Sequence, residues 1–330
     1  MRPLALALCY DLKSDYLAAG FSPGEVMEFD EQETVDALAG ALEELGHCTI
    51  RVGRGVELAR RLAAGERWDL VFNFAEGVRG RSREAQVPAV CELFDQPYTF
   101  SDPLTCALTL DKSLAKRLVR DHGLPTAPFA VVERPQDAAA VRLAPPLFVK
   151  PMAEGSSKGV TRRSRVDSLD ELPAVCAELL DAFQQAVLVE SYLPGREMTV
   201  GIVGNGDGAR VLGILEVCFR PGVDPDYTAD NKREYLSRVE YRLLDGDATA
   251  RRAREVALAA YAALGCRDLA RIDLRCDARG EPHFLEVNPL PGLHPTYSDL
   301  PILAGRAGIS YVDLVSQAVA AAAERWGLWT

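Results

Sequence analysis

No two of the chain's eight cysteines form a C-x-x-C pair; they are scattered at positions 9, 48, 91, 106, 176, 218, 266 and 276. Most sit in apolar segments, which argues against a disulfide scaffold or a zinc site and for core thiols in a reducing cytosol. A cytoplasmic location is expected on that ground. Basic residues are in deficit: 37 Lys and Arg against 48 Asp and Glu leave a net charge of −11. Such a balance disfavours a general nucleic-acid or anionic-membrane surface, though a local basic cluster can still bind a small anion. No apolar stretch is long enough to span a bilayer. The opening MRPLALALCYD could be taken for an exported leader or a lipoprotein site at Cys9, but Asp11 cuts its apolar run, and it reads as a first buried strand. There is no internal repeat, no low-complexity tract and no Walker phosphate motif. What is present is a chain of 330 residues, 48% hydrophobic and 26% charged, long enough for a large core and about two domains.

Leu4 to Tyr10, helical TVDALAGALEELG, strand CTIRV, helical VELARRLAAGE and strand WDLVFNF alternate as a parallel sheet with helices on its faces. Residues 1–101 are therefore expected to form an α/β domain of doubly wound type. The turn AEGVRGRSRE follows Phe74 at the carboxyl end of a strand, the edge where such sheets bind ligands. From Asp102 the pattern changes to a helix (TCALTLDKSLAKRLVRDHG), then strands paired with helices. Hairpin turns at Asn205 to Gly208 and Asp277 to Gly280 suggest antiparallel α+β architecture. Two subdomains are expected, 102–194 and 195–330.

The stretch FLEVNPLPG, Phe284 to Gly292, sets an acid and an amide on an otherwise apolar strand. Period-two alternation predicts Phe284, Glu286 and Asn288 on one side, Leu285 and Val287 on the other. A four-residue hairpin loop, Ala278 to Glu281, would place Asp273 opposite Glu286 and Arg271 opposite Asn288. The two carboxylates and the amide then form an oxygen-only set suited to Mg²⁺, or a polar hairpin end neutralised by Arg271; residues alone leave both readings open. Lys150 ends the strand PPLFV, and Glu154 to Gly159 (EGSSKG) can close over phosphates or serve as a plain connector. Lys112 is a second cation candidate, on a helix whose other charges are expected to be solvated.

In this order the elements resemble the ATP-grasp superfamily and, within it, the D-alanine-D-alanine ligase family, from Leu108 to about Ser316. LDKSLAKRL is similar to the family's first ATP-binding lysine helix, implying Lys112. FVKPMAEGSSKGV resembles the second lysine and phosphate loop, implying Lys150, Ser156 and Ser157. VLVESYLPGREMTV matches the adenine hinge and ribose-binding acid, implying Glu190, Leu193 and Glu197. Lys232 in DYTADNKREYLS corresponds to a lysine near the γ-phosphate, in a segment, Arg220 to Ser237, expected to act as a lid. ARIDLRCD and FLEVNPLPG match the metal and oxyanion motifs: Asp273, Glu286 and Asn288 for Mg²⁺, Arg271 and Gly292 for the oxyanion, with Ser156 also counted as catalytic.

The resemblance implies an ATP-grasp fold, ATP as substrate and two Mg²⁺ ions, with Mn²⁺ as a possible substitute. It implies ATP-dependent joining of a carboxylate to an amine through an acyl phosphate. The partners are then amino-acid-like small molecules, with a homodimer as a possible assembly. Three alternatives share the fold: a true D-alanine-D-alanine ligase, a kinase, and a nucleotide-binding module without turnover. The N-terminal region departs from the family pattern. CYDLKSD and NFAEGVRGRSREAQ replace the Gly-Gly-x-Ser-x-Glu and His-Gly-x-x-Gly-Glu-Asp-Gly segments, and LHPTYSD follows the oxyanion glycine. A substrate other than D-alanine is expected, with Glu76 on an ammonium and Arg79, Arg81 and Arg83 on a carboxylate. Tyr235 and Tyr297 complete the residues expected at the substrate.

Overall fold

A computed structural model of the chain describes residues 2–155, 157–219 and 239–329. Ser156, Lys232, Tyr235 and the expected lid lie outside the described residues. Apolar β1 (Ala5–Cys9) is buried between β2 (Cys48–Gly53) and β3 (Leu70–Asn73), and all three run parallel in the order β2-β1-β3. Between them come α1 (Lys13–Ala18), α2 (Gln32–Glu44) and α3 (Gly55–Ala63). The acidic stretch before α2 thus contains a short helix. A further helix, α4 (Gln86–Leu93), follows the turn after β3.

The helix expected from Thr105 to Gly123 is two helices, α5 (Pro103–Leu110) and α6 (Lys112–Asp121). The break lies at Asp111, whose carboxylate accepts from the Ser113 and Leu114 N–H groups and so caps α6. An acid there competes with helix continuation and sets Lys112 at the first position of the new helix.

A four-stranded antiparallel sheet follows in the order β4-β7-β5-β6, from β4 (Phe129–Val132), β5 (Leu147–Pro151), β6 (Arg165–Val166) and β7 (Val187–Ser191), with α7 (Leu172–Phe183) on one face. The third sheet has the order β10-β9-β8-β11-β12, from β8 (Glu197–Val203), β9 (Arg210–Phe219), β10 (Val239–Leu243), β11 (Leu269–Cys276) and β12 (Pro282–Asn288). On it pack α8 (Ala248–Ala263), α9 (Asp299–Arg306) and the alanine-rich α10 (Tyr311–Arg325).

Two faces of the third sheet build two cores. Val200, Ile202 and Ile272 pack with Val256, Ala257 and Tyr261 of α8. The other core is continuous from Leu6, Leu8 and Phe72 through Leu38 and Leu42 of α2 to Leu314, Ala318 and Ala322 of α10, so the first and third sheets share it. Fully buried Asp268 reinforces that junction: it accepts from the Phe100 N–H at 2.7 Å and pairs with Arg325 at 2.7 Å. No helix among the described residues is long and apolar enough to cross a membrane. All eight thiols are free, and six are buried.

The β11–β12 hairpin holds the residues expected to bind the metal and, with Arg271, the oxyanion. Asp273 does face Glu286, and Arg271 faces Asn288, but for a reason other than the expected one. The hairpin end pairs Cys276 with Pro282, leaving five loop residues, and a bulge between Asp273 and Leu274 skips Leu285. The extra loop residue and the bulge cancel at Asp273. They do not cancel at Phe284, which is thrown onto the core side with Val287. Leu285 and Glu286 instead line one cleft together.

Candidate active site

A cleft opens between the second and third sheets. Its walls bring together Lys112, Lys150, Ser157, Glu190, Leu193, Glu197, Arg271, Asp273 and Glu286. These residues were read from motifs up to 174 positions apart in the chain (112 to 286), and the fold gathers them in one place.

The most buried part is a row of paired charges. Glu190 of β7 lies between Lys116 at 2.8 Å and Lys150 at 3.0 Å. Burial by itself would raise this carboxylate, but the two ammonium groups win and hold it down at about 2. Lys116 is fully buried, contrary to the expectation that the remaining charges of α6 are solvated. It stands one helical turn after Lys112, so both face inward. Burial lowers the Lys116 pKa, whereas at Lys150 the neighbouring Glu190 and Glu286 outweigh burial and raise it.

Lys112 sits at the mouth of this row. Its Nζ donates to the Glu154 carbonyl at 2.6 Å and lies 3.4 Å from Glu286. Its own backbone N–H donates to the Met152 carbonyl, which ties the start of α6 to the end of β5. Beyond Lys150 the loop turns back through Ser157 and Gly159, both at positive φ. Any Cβ at Gly159 would meet Pro151 and Phe183 at 2.5–2.9 Å, so glycine is required for the loop to pack down.

On β11, period two sets Arg271, Asp273 and Arg275 on one face. Arg271 pairs with Asp273 at 2.9 Å and Asp299 at 3.2 Å, and these acids hold its charge against burial. Burial and the nearby Glu286 raise the Asp273 carboxyl despite Arg271. Glu286 is drawn well below the usual range by Lys112, Lys150 and Arg271, which overcome its burial. Asp273 also accepts from the Thr199 hydroxyl at 2.9 Å and lies 3.3 Å from the Asn288 amide. Two carboxylates and an amide side chain stand together here, and their oxygens are the donor type that Mg²⁺ prefers. Among the described residues, no group of three or more His, Cys, Asp or Glu forms a metal-binding cluster by itself.

A second, larger cleft adjoins the first. Lys112, Glu154, Arg271, Glu286 and Asp299 line both, so they form the passage between the two. Asn288, Gly292, Glu76 and Tyr297 line only the second. Gly292 is held close to Ser298, whose Oγ would lie 2.9 Å from any Cβ placed there.

The family model described as D-ala D-ala ligase C-terminus matches residues 118–320. An uncharacterized protein of Sinorhizobium fredii is 34% identical over 292 residues, covering 85% of this chain and 84% of that protein. A D-alanine--D-alanine ligase of Cupriavidus necator is 36% identical over 273 residues, covering 81% and 80%. The chain belongs to the D-alanine-D-alanine ligase family. Its fold is that of an ATP-grasp enzyme: the crystal structure of a D-alanine--D-alanine ligase from Bacillus anthracis complexed with ATP superposes with a TM-score of 0.74 at 21% identity, covering 99% of this chain and 100% of that one. The protein is thus an ATP-grasp carboxylate-amine ligase.

Within this ligase fold the three arginines of the AEGVRGRSRE turn do not line the cleft that holds Glu76. Arg79 lies over the Phe21 ring, and Arg81 reaches Asp111 with a side chain 78% exposed. Arg83 is buried on Glu28 at 2.9 Å and donates to the Ala153 carbonyl. It ties the N-terminal domain to the start of the glycine loop after β5. Tyr297 stacks on His294 with centroids 3.6 Å apart.

Sequence reasoning missed Lys116, Arg275, Tyr192, Thr199 and Asp299. The i, i+4 spacing from Lys112 signals Lys116, and strand alternation after Asp273 signals Arg275. Arg275 pairs with Glu197 at 3.4 Å and lies over the Tyr192 ring, whose hydroxyl accepts from it at 2.9 Å. Asp299, at the start of α9, carries no local signal and is brought to Arg271 by tertiary packing alone.

Proposed function

We propose that this ligase phosphorylates the carboxylate of one amino-acid-like substrate with ATP, and that the amine of a second then displaces the phosphate to form an amide or related condensation product. The observation that carries the reading is the shared passage between the two clefts. A nucleotide whose phosphates reach Lys112 and Glu286 presents its terminal phosphoryl to whatever occupies the second cleft.

In this reading the purine lies against Tyr192 and Leu193, beside Glu190, and the ribose meets Glu197. Lys112, Lys150 and the N–H groups around Ser157 neutralise the phosphates, with Ser156 and Lys232 completing the set. Asp273, Glu286 and Asn288 would hold Mg²⁺, which supplies charge stabilisation at the phosphoryl oxygens when bound. Arg271 and the Gly292 N–H take the negative charge of the tetrahedral intermediate. Arg271 is already fixed between Asp273 and Asp299, so little reorganisation is needed as that charge forms. The altered N-terminal segments and the acids around Glu76 support a substrate pair other than D-alanine with D-alanine.

The test is incubation with ATP, Mg²⁺ and a panel of D- and L-amino acids, singly and in pairs, with free phosphate and product masses as readouts. Phosphate together with a condensed product supports the ligase reading. A phosphorylated amino acid as the end product would favour a kinase, and best turnover with D-alanine at both positions would remove the specificity claim.

A further inference from the structure

The second cleft carries more negative charge than the proposed reaction requires. Its cations are each engaged by an acid: Lys13 with Glu31 at 2.6 Å, Lys112 with Glu286, and Arg271 with Asp273 and Asp299. Behind the cleft, Arg83 takes Glu28, and Lys158 takes Glu154 at 2.8 Å. Three acids that line the cleft, Asp30, Glu76 and Glu84, have no ion-pair partner among the described residues. Glu84 is only 9% exposed, yet its carboxylate has neither an ion pair nor a hydrogen bond among the described residues. An acid buried to that degree without a partner is costly unless a ligand supplies one.

One α-ammonium group accounts for one of the three acids. The remaining acids do not make a chelating cluster, since no group of three or more such residues converges as a metal site among the described residues. From this count, and resting on the ligase reading above, we infer that one substrate of this enzyme is an amino acid whose side chain carries a second cation, an amine or a guanidine, received by Glu84 and Glu76. The electrostatics agree. Burial, together with neighbouring Glu28 and Glu286, pushes Glu84 up to about 7 despite Arg83 and Lys112. Burial and Asp11 push Asp30 to about 7 as well, and burial with Glu84 and Glu28 raises Glu76. A second cation would relieve Glu84 and Glu76, which a neutral side chain cannot do.

Two measurements on the full chain test this. The first is calorimetric binding of D- and L-ornithine and D- and L-norvaline in the presence of a nonhydrolysable ATP analogue and Mg²⁺. The second is phosphate release with the same four compounds and ATP, alone and with alanine as the partner. One enantiomer of ornithine is expected to bind at least about 100-fold more tightly than norvaline of the same hand, because a site built around polar partners rejects the analogue that leaves them unpaired. Glu84→Gln should shrink that preference to about tenfold or less, mainly through KM, while ATP affinity stays at the parent value. Glu76→Gln serves the same purpose should Glu84→Gln fail to fold. Norvaline binding as well as ornithine, neither binding, or a preference unchanged in both variants overturns the inference. Tight ornithine binding without amino-acid-dependent phosphate release leaves the cationic subsite standing and removes the ligase reading instead.

Discussion

The two adjoining clefts treat charge in opposite ways. In the first, every buried acid meets a cation of the protein: Glu190 has Lys116 and Lys150, Glu197 has Arg275, and Asp273 has Arg271. In the second, Asp30, Glu76 and Glu84 have none among the described residues. A matched set is pre-organised, each charge held by its neighbour. An unmatched set is strained until a ligand arrives, and it can therefore select that ligand.

The sharpest way to break the comparison is to remove charge from the passage the clefts share. Glu286→Gln should lower kcat by about 1000-fold or more, the scale of losing a preorganised electrostatic group, with the fold retained because Lys112 still bonds the Glu154 carbonyl. Steady-state phosphate release and circular dichroism check this together; near-parental kcat would make Glu286 a structural acid.

Lys116→Met tests the matched row itself. Taking one cation from a buried cluster costs about 3–5 kcal/mol, and the loss is read as a lower urea midpoint. Adding Glu190→Gln in the same chain should recover part of it, since the double variant no longer buries a half-paired charge.

The pH dependence of stability should show the two clefts as limbs of opposite slope. Glu190 is held at about 2, so its contribution is present above the unfolded carboxylate value of about 4.3 and fades as pH falls toward 2. Glu84 is raised to about 7, so its ionisation penalises the fold above that pH, and the penalty lifts as pH falls from about 7 to 4.3. Stability of the unliganded chain should therefore peak near pH 5. Glu84→Gln should shrink the neutral limb, to which Asp30 and Glu76 also contribute, and leave the acid limb alone. Urea denaturation at half-unit pH steps measures both.

The smallest effect belongs to Arg81. Its pair with Asp111 is exposed on the arginine side, and such pairs contribute about 0–1 kcal/mol. Arg81→Ala should change neither substrate KM nor the denaturation midpoint beyond that range. A large rise in KM would bring the arginine turn back into substrate binding.

Much of the first cleft was legible in the sequence because local rules place it. Lys150 ends an apolar strand, the glycine loop follows directly, and Asp273 and Glu286 face each other across one hairpin. Even there the pairing held only because a longer loop and a bulge cancel, and Phe284 betrays the difference by lying in the core. Lys116 lay one helical turn from a residue already chosen, and Asp111 broke the helix by capping it. Of the residues that line only the second cleft, Glu76, Gly292, Asn288 and Tyr297 were legible. Glu84 and Asp30 come from different segments and gain meaning only when packing strips away their water and leaves no cation beside them. Arg83 was assigned to a substrate carboxylate because its partner Glu28 is 55 residues away, and nothing local announces that pairing.

The central claim is that the terminal phosphoryl of ATP passes to a carboxylate in the second cleft before the amine attacks. The panel amino acid that most stimulates phosphate release, labelled with heavy oxygen in its carboxylate, should be turned over with ATP and Mg²⁺, and the phosphate weighed by mass spectrometry. The account predicts one carboxylate oxygen in each phosphate released and a condensed product in equal amount. Phosphate without label, formed at the same rate, would mean that water rather than the substrate takes the phosphoryl group, and would contradict it.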